Sequence, residues 1–254
     1  MALIKQYAPK ANIVGSGKAA IDPSDDLDKR VFRHDGTVET YLRADKVRAT
    51  DEPFLSRNGG LVTPGSGLAI SPADENFNDL DVFDLSSMGA ATPFRCAEVM
   101  PTSFTVLCPV RVTSLSGNDF LFTGSGNFYC QVQATTGVIR TLTQFSGGSE
   151  GYVASSVSLA VDVTDFIWVS YDGSDQRVRI GRTADEVLST YVHGEAHTPD
   201  ENAEFRPFGS SLNPLPCLTP GALLLSSAFD PVATSWENRR TARDITAFRA
   251  LIGL

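Results

Sequence analysis

Helical periodicity is scarce in this chain, and the scarcity is informative. Apolar residues spaced as on one helix face are sustained only near the C-terminus. Long apolar runs are missing as well. No stretch of about 18 apolar residues exists, which excludes a membrane-spanning helix. The four cysteines, Cys96, Cys108, Cys130 and Cys217, stand far apart and form no C-x-x-C pair, so their spacing argues against structural zinc. Cys108 and Cys130 lie in apolar, strand-like runs, where a free thiol behaves as a small hydrophobe. Buried, reduced thiols are expected. The opening Met1–Lys5 is too short an apolar run for a secretory leader, and Pro9 and Lys10 follow it. The expected site of folding is therefore a reducing cytoplasm.

Lysine is absent after Lys46, although the chain runs to 254 residues. The net charge of −9 argues against a nucleic-acid surface over the whole protein. That charge is uneven. Residues 1–60 carry ten basic and nine acidic side chains, and the remainder carries eleven arginines against 21 acids. The first 30 residues hold Pro9, Gly15-Ser16-Gly17 and the acidic Asp22–Asp26 run. They read as a solvated polar arm, or as one that docks on an acidic partner through Lys5, Lys10, Lys18, Lys29, Arg30 and Arg33. Val31–Arg33 and Val38–Leu42 suggest a short strand pair around Asp35-Gly36. Residues 51–75, punctuated by Pro53, Asn58-Gly59-Gly60, Pro64-Gly65 and Pro72, read as a connector.

Beyond that point strand signals dominate. Ile167, Val169 and Tyr171 alternate on one face, and Val178 and Ile180 alternate on the next run. Between them Asp172-Gly173-Ser174-Asp175 supplies turn residues that tolerate positive φ, a hairpin signal. Phe120–Phe122 and Phe128–Val132 flank Gly124–Asn127 in the same way, and Phe104–Val112 is a strong strand with Pro109 marking a bulge or an edge. Val138, Arg140 and Leu142 alternate in the run that follows, and Ala222–Ser226 reads as a buried strand. One helix is expected over Ala242–Leu251, capped by Thr241 and Asp244, with Ile245, Phe248 and Ile252 on one face. Trp236, just before it, is expected to close the core. Many short strands separated by turns predict an all-β, antiparallel β-sandwich with an extended N-terminal arm and one short C-terminal helix. The expected division is 1–85 for the arm and attachment region and 86–254 for the sandwich.

Taken in order, Ser103–Val106, Phe120–Gly124, Phe128–Val132, Gly137–Ile139, Phe166–Gly173 and Val178–Gly181, then a strand and a short helix, resemble the laminin-G and concanavalin-A-like jelly roll. The resemblance covers about 60% of the chain and implies a lectin-like sandwich. A polar arm ahead of such a domain resembles phage virion-associated proteins. It implies a virion structural protein of the decoration, spike or tail-fibre class, assembled in the host cytoplasm and fastened by its arm to a capsid or tail component. A host-surface glycan is the second partner implied, with homo-oligomers, trimers in particular, as the expected assembly. The alternative is a free carbohydrate-binding lectin module. Fold alone does not choose between them.

Enzyme chemistry finds little support. Gly147–Gly151 matches G-x-S-x-G, but a nucleophile elbow needs a helix after the serine and β-like sequence follows. Gly15–Lys18 lacks the remaining positions of a phosphate loop. Glycosidases of this fold usually set their acids as E-x-D-x-x-E on one strand; that spacing does not occur, and Asp162 and Asp165 are three apart. His193 and His197 flank Gly194-Glu195-Ala196, and with Pro199 nearby they read as part of an exposed acidic loop and not as metal ligands. His34 stands alone in a turn. No cofactor is expected; calcium, which several such lectins use, would fall to Asn118-Asp119 or Asp172–Asp175. Aromatic side chains are the candidates for a glycan or partner surface: Phe166 and Trp168, sharing one strand face, and Tyr129, Tyr152 and Tyr191 near loop ends. Phe166 and Trp168 have a competing reading, since both faces of their strand are apolar and a central, doubly covered strand would look the same.

Overall fold

The structure is a computed structural model. It describes residues 38–254, apart from 48–49, 51, 57–59, 89–91, 125–127, 145–149, 194–195, 200–203 and 211–213. The expected anchoring residues Lys5, Lys10, Lys18, Lys29, Arg30 and Arg33, the Gly15–Lys18 run and His34 lie outside the described residues.

In chain order the strands are β1 (Val38–Arg43), β2 (Phe54–Leu55), β3 (Leu61–Pro64), β4 (Ala69–Asp74), β5 (Leu80–Asp84), β6 (Phe94–Cys96), β7 (Phe104–Val112), β8 (Asp119–Thr123) and β9 (Phe128–Val132). They continue as β10 (Val138–Gln144), β11 (Glu150–Ser158), β12 (Thr164–Asp172), β13 (Arg177–Gly181), β14 (Ser189–Val192), β15 (Arg206–Pro207), β16 (Cys217–Thr219) and β17 (Gly221–Leu225). A single α-helix among the described residues, α1 (Trp236–Leu251), ends the chain.

Among the described residues nine strands form one sheet, in the order β14-β13-β12-β7-β16-β5-β4, with β17 beside β7 and β1 beside β17. Five more form a second sheet, β11-β10-β9-β8-β15, and β2, β3 and β6 form a small third one. The pairings between named strands are antiparallel. The predicted β-sandwich is thus observed.

Alternation along the central strands explains the layers. On β12, Ile167, Val169 and Tyr171 enter the core between the two large sheets, while Phe166 and Trp168 enter a second core beneath α1. On β7, Val106, Cys108 and Val110 face the first core and Leu107 the second. The period of two puts successive side chains on opposite faces, so a strand covered on both sides is apolar throughout. The helix supplies Ile245, Phe248 and Leu251 to the second core. Phe248 meets Phe166 edge-on at 5.8 Å and Tyr41 at 6.3 Å. The Asp165 carboxylate accepts a fork of hydrogen bonds from Arg182, whose carbonyl in turn accepts from Arg249 Nη1 at 2.7 Å, tying helix to sheet.

Three expectations need correction. Strands β1, β4 and β5 belong to the nine-stranded sheet, so the sandwich takes in residues well before the boundary expected at 85. Their Gly- and Pro-rich flanks masked the pattern; Val62 and Leu68 in the expected connector are buried. Second, α1 starts six residues early, capped by Ser235, whose hydroxyl accepts from the Asn238 N–H at 3.2 Å. A serine cap of this kind contributes about 1 kcal/mol. Thr241 and Asp244, expected as the cap, are buried inside the helix. Trp236 is 58% exposed and closes nothing; Phe229 covers Trp168 instead, at 5.1 Å. Third, Pro109 marks neither a bulge nor an edge. It sits mid-strand on β7, where pairing with β17 (Thr105–Leu107) gives way to pairing with β16 (Arg111–Val112). The Pro109 carbonyl accepts from Thr219 Oγ1 at 2.7 Å on that side. In an extended strand a residue's N–H and carbonyl point the same way, so the missing N–H falls in the gap between two short partners.

Two outcomes follow for the packing. Phe248→Ala should cost about 3–5 kcal/mol in urea unfolding, because the ring joins Tyr41, Phe166 and the helix. Gly221 has φ +148° and an added Cβ would meet the Leu42 carbonyl oxygen at 2.0 Å. Gly221→Ala should therefore cost more than about 2 kcal/mol in the same measurement, against a few tenths for a substitution on an open surface.

Candidate functional site

The helix roofs the outer surface of the large sheet. The outer surface of the five-stranded sheet carries no such cover from a described element, and the cross-strand register fixes what it presents. Cys130 faces the core and pairs with Thr141, so the residues on either side of each face outward. Tyr129, Leu142 and Tyr152 stand directly opposite one another on β9, β10 and β11. Phe120, Gln131, Arg140 and Ala154 form the next row across β8 to β11. Leu142 is only 6% exposed yet belongs to neither core, as expected for a side chain flanked by two tyrosines on an outer face.

The polar groups of this face are held in place. Arg140 Nε donates to Gln131 Oε1 at 2.8 Å, and its guanidinium carbon lies 4.2 Å from the centre of the Tyr152 ring. Stacking of this kind fixes a long side chain that would otherwise be free. Among the described residues the guanidinium has Gln131 and the Tyr152 ring as its partners. Phe120 and Tyr129 pack at 6.0 Å with their planes 57° apart. Tyr152 remains 46% exposed. The face combines ring surfaces, a fixed cation and an amide, which is a set suited to a flat, hydroxyl-rich ligand.

Of the five aromatic candidates, the structure brings Tyr129 and Tyr152 together. Phe166 and Trp168 are fully buried under α1 and Phe229, and Trp168 Nε1 donates to the Thr183 carbonyl at 2.8 Å, so they offer no surface to a ligand. Their strand lies inside the large sheet, covered on both faces. Tyr191 packs against the inter-sheet core, with its phenol oxygen buried. Phe120, Gln131, Arg140 and Leu142 escaped sequence reasoning as site residues. The alternation of Val138, Arg140 and Leu142 was visible, but not which strand each would face.

The expected exposed loop at His193 and His197 is also corrected. His193 is fully buried and His197 is 5% exposed. His193 packs against Phe128 at 4.7 Å with the planes 34° apart, and His197 meets Phe104 and Tyr171 edge-on at 5.8 and 6.1 Å. Aromatic neighbours distant in sequence hold both rings inward. Among the described residues no group of three His, Cys, Asp or Glu side chains converges on a metal position. Of the oxygens named for calcium, Asp172 Oδ1 accepts from the Ser174 N–H and hydroxyl within its turn, and Asn118 Oδ1 accepts from the Ala134 N–H, 16 residues on. Burial works against the Asp172 carboxylate, yet the Ser174 hydrogen bonds hold its pKa below the ordinary value. Burial alone raises that of Asp119. Asp162 pairs with Arg111 at 3.1 Å and Asp165 with Arg182 at 2.7 Å, so each acid has its own cation. The segment after Gly147–Gly151 is the strand β11, where an elbow needs a helix. All four cysteines are buried without a disulfide.

No protein-family model matches the chain, and no curated protein sequence matches it. Solved structures do match in shape. The binding domain of Paraclostridial Mosquitocidal Protein 1 superposes with a TM-score of 0.58 at 10% identity, over 88% of this chain and 53% of that one. The botulinum neurotoxin serotype D binding domain gives 0.56 at 11% identity, over 83% and 51%. Domain 4 of AbnA, an extracellular arabinanase from Geobacillus stearothermophilus seen in complex with arabinotriose, gives 0.55 at 11% identity, over 82% of this chain and 98% of that domain. The chain spans about half the length of the two toxin structures and nearly all of the arabinanase domain. Likeness at these identities establishes a shared β-sandwich fold.

Proposed function

We propose that this chain is a lectin-like carbohydrate-binding module and that it binds glycan on the outer face of the five-stranded sheet. The observation that carries the reading is the row Tyr129–Leu142–Tyr152 beside the fixed Arg140–Gln131 pair, on a sheet surface that no described element covers. Sugar rings present flat C–H faces to aromatic rings and hydroxyls to planar donors, and both are in place here. The fold likeness supports the reading, since the arabinanase domain it matches was seen with a bound arabinotriose. A sandwich displayed on a virion, as implied by the resemblance to phage proteins, would use the same face. A module acting only as a structural plug would have no need of a stacked arginine on an open tyrosine.

The test is a glycan array probed with the full chain and with Tyr129→Ala, Tyr152→Ala and Arg140→Ala. Each substitution should weaken the retained glycan by about tenfold, the loss of one stacking or charged contact. Tyr152→Ala should change stability by less than about 1 kcal/mol, whereas Leu142→Ala should cost about 2 kcal/mol or more, because the leucine fills the space between the rings. Retention of a glycan with all three substitutions neutral would place the site elsewhere. No retained glycan at all would overturn the reading.

A further inference from the structure

The outward side of α1 carries an exposed aromatic and a row of cations. Thr241, Asp244, Ile245, Phe248 and Leu251 are buried and define the side that meets the sheet. At about 100° per residue the opposite side is the line Arg239, Arg243, Thr246 and Ala250, with Trp236 at its head, and all five are exposed. The Arg240 guanidinium lies over the Trp236 ring at 5.3 Å and adds to the basic end. Arg249 is turned away from this line. Its Nη1 donates to the Arg182 carbonyl, and its guanidinium lies 5.9 Å from the centre of the Phe166 ring. Glu237 falls on the side of Asp244, away from the line as well.

The far end of the same line meets acid. A short 3-10 turn, Glu75–Phe77, is followed by two residues in the left-handed region, Asn78 and Asp79. This turn lies against the last turn of α1. Asn78 Nδ2 donates to the Leu251 carbonyl at 3.3 Å, and Phe77 enters the core that holds Leu251 and Ile252. Glu75 and Asp79 are exposed, and neither makes an ion pair among the described residues. The same is true of Arg239 at the head of the helix. The two ends of one open face thus carry opposite charges that the chain itself leaves unmatched. Between them Thr246 and Ala250 are short, so they do not hold another surface away. Tryptophan and arginine are the residue types that contribute most when an exposed face is covered by a protein.

We propose that this face pairs with itself: two copies of the chain pack α1 against α1 in antiparallel order, so that the Arg239 end of each copy lies on the Glu75–Asp79 end of the other. A twofold contact sets a patch on the same patch, so the patch must complement itself. A basic head and an acidic foot do so when one helix is reversed, and they repel when the two run parallel. A twofold axis near Thr246 gives this register. Arg239 then faces Gly253 of the second copy, and Gly253 sits beside Asn78. Reversal also sets the two helix dipoles head to tail. Trp236 of each copy covers the end of the other helix and loses its exposure. An anionic lipid surface fits less well, because it attracts Arg239 and Arg243 but repels Glu75 and Asp79. The outer surface of the five-stranded sheet lies on the other side of the sandwich, so the pairing does not rest on the carbohydrate-binding reading.

Sedimentation of the full chain over a concentration series tests the pairing. One helix face and a turn make a small interface, so a dimer with a dissociation constant of about 1–100 µM is expected. Salt at about 0.5 M should weaken it by about fivefold or more, because the charges at its ends are exposed. Arg239→Glu and Glu75→Lys should each weaken it by about tenfold. Combined, they should return it to within about threefold of the native chain, since the charges are then exchanged across the contact. Both positions are exposed, and urea unfolding of dilute protein checks that each variant keeps its fold. The chain has two tryptophans, and Trp168 is fully buried, so acrylamide quenching reports Trp236 and should fall as the dimer forms. A chain that stays monomeric to about 500 µM overturns the pairing. So does a trimer, a dimer indifferent to both single substitutions, or a double variant no tighter than the single ones. A monomer that binds vesicles containing phosphatidylserine through Arg239 overturns it too and gives the face to lipid.

Discussion

The pairing of β7 with β12 is the constraint from which the rest of the structure follows. Eight successive residue pairs, from Thr164 with Arg111 to Tyr171 with Phe104, align two strands that are apolar on both faces. Such a pair has no side that tolerates water, so it requires cover above and below. The five-stranded sheet covers one side and α1 with Phe229 covers the other. The three-layer arrangement is thus a response to two central strands. The remaining strands of the large sheet extend it to edges at β14, β4 and β1.

Function inherits this asymmetry. Once α1 occupies the outer surface of the large sheet, the opposite sheet is the broad strand surface that no described element covers. Its outer rows hold Tyr129, Tyr152, Phe120 and Arg140, where an unused surface would alternate small polar residues. The same two strands, β9 and β10, carry that face on one side and touch the buried histidines on the other.

Much of the sandwich was legible in the sequence because its strands are long and regular. The β12–β13 hairpin, with Ile167, Val169 and Tyr171 facing Val178 and Ile180, emerged directly from period-two alternation and the Asp172–Asp175 turn. The apolar character of both faces around Phe166 and Trp168 already pointed to a central strand. The place of the short elements was illegible. Val38–Leu42 reads as a strand, but β1 and β5 owe their place to pairing with strands more than 100 residues away, and β4 joins the sheet through β5, information that no local window holds. The first turn of α1 is polar and reads as loop until Ser235 is seen capping it. The candidate site was half legible: Tyr129 and Tyr152 were named as residues, but their alignment across Leu142 depends on register. Burial of His193 and His197 was hidden because glycine, proline and acids nearby outweigh two imidazoles in any reading of composition.

The four thiols have one more consequence. Cys96, Cys108, Cys130 and Cys217 are spread over β6, β7, β9 and β16, so every sheet contains at least one sulfur shielded from solvent. Burial also lifts each thiol pKa well above the ordinary value, suppressing the nucleophilic thiolate. Alkylating reagents should accordingly react slowly with the native protein, and a reaction that does occur dates the separation of a particular sheet. The chain carries an internal clock for its own opening, one sulfur per sheet or more, without a single label having to be introduced.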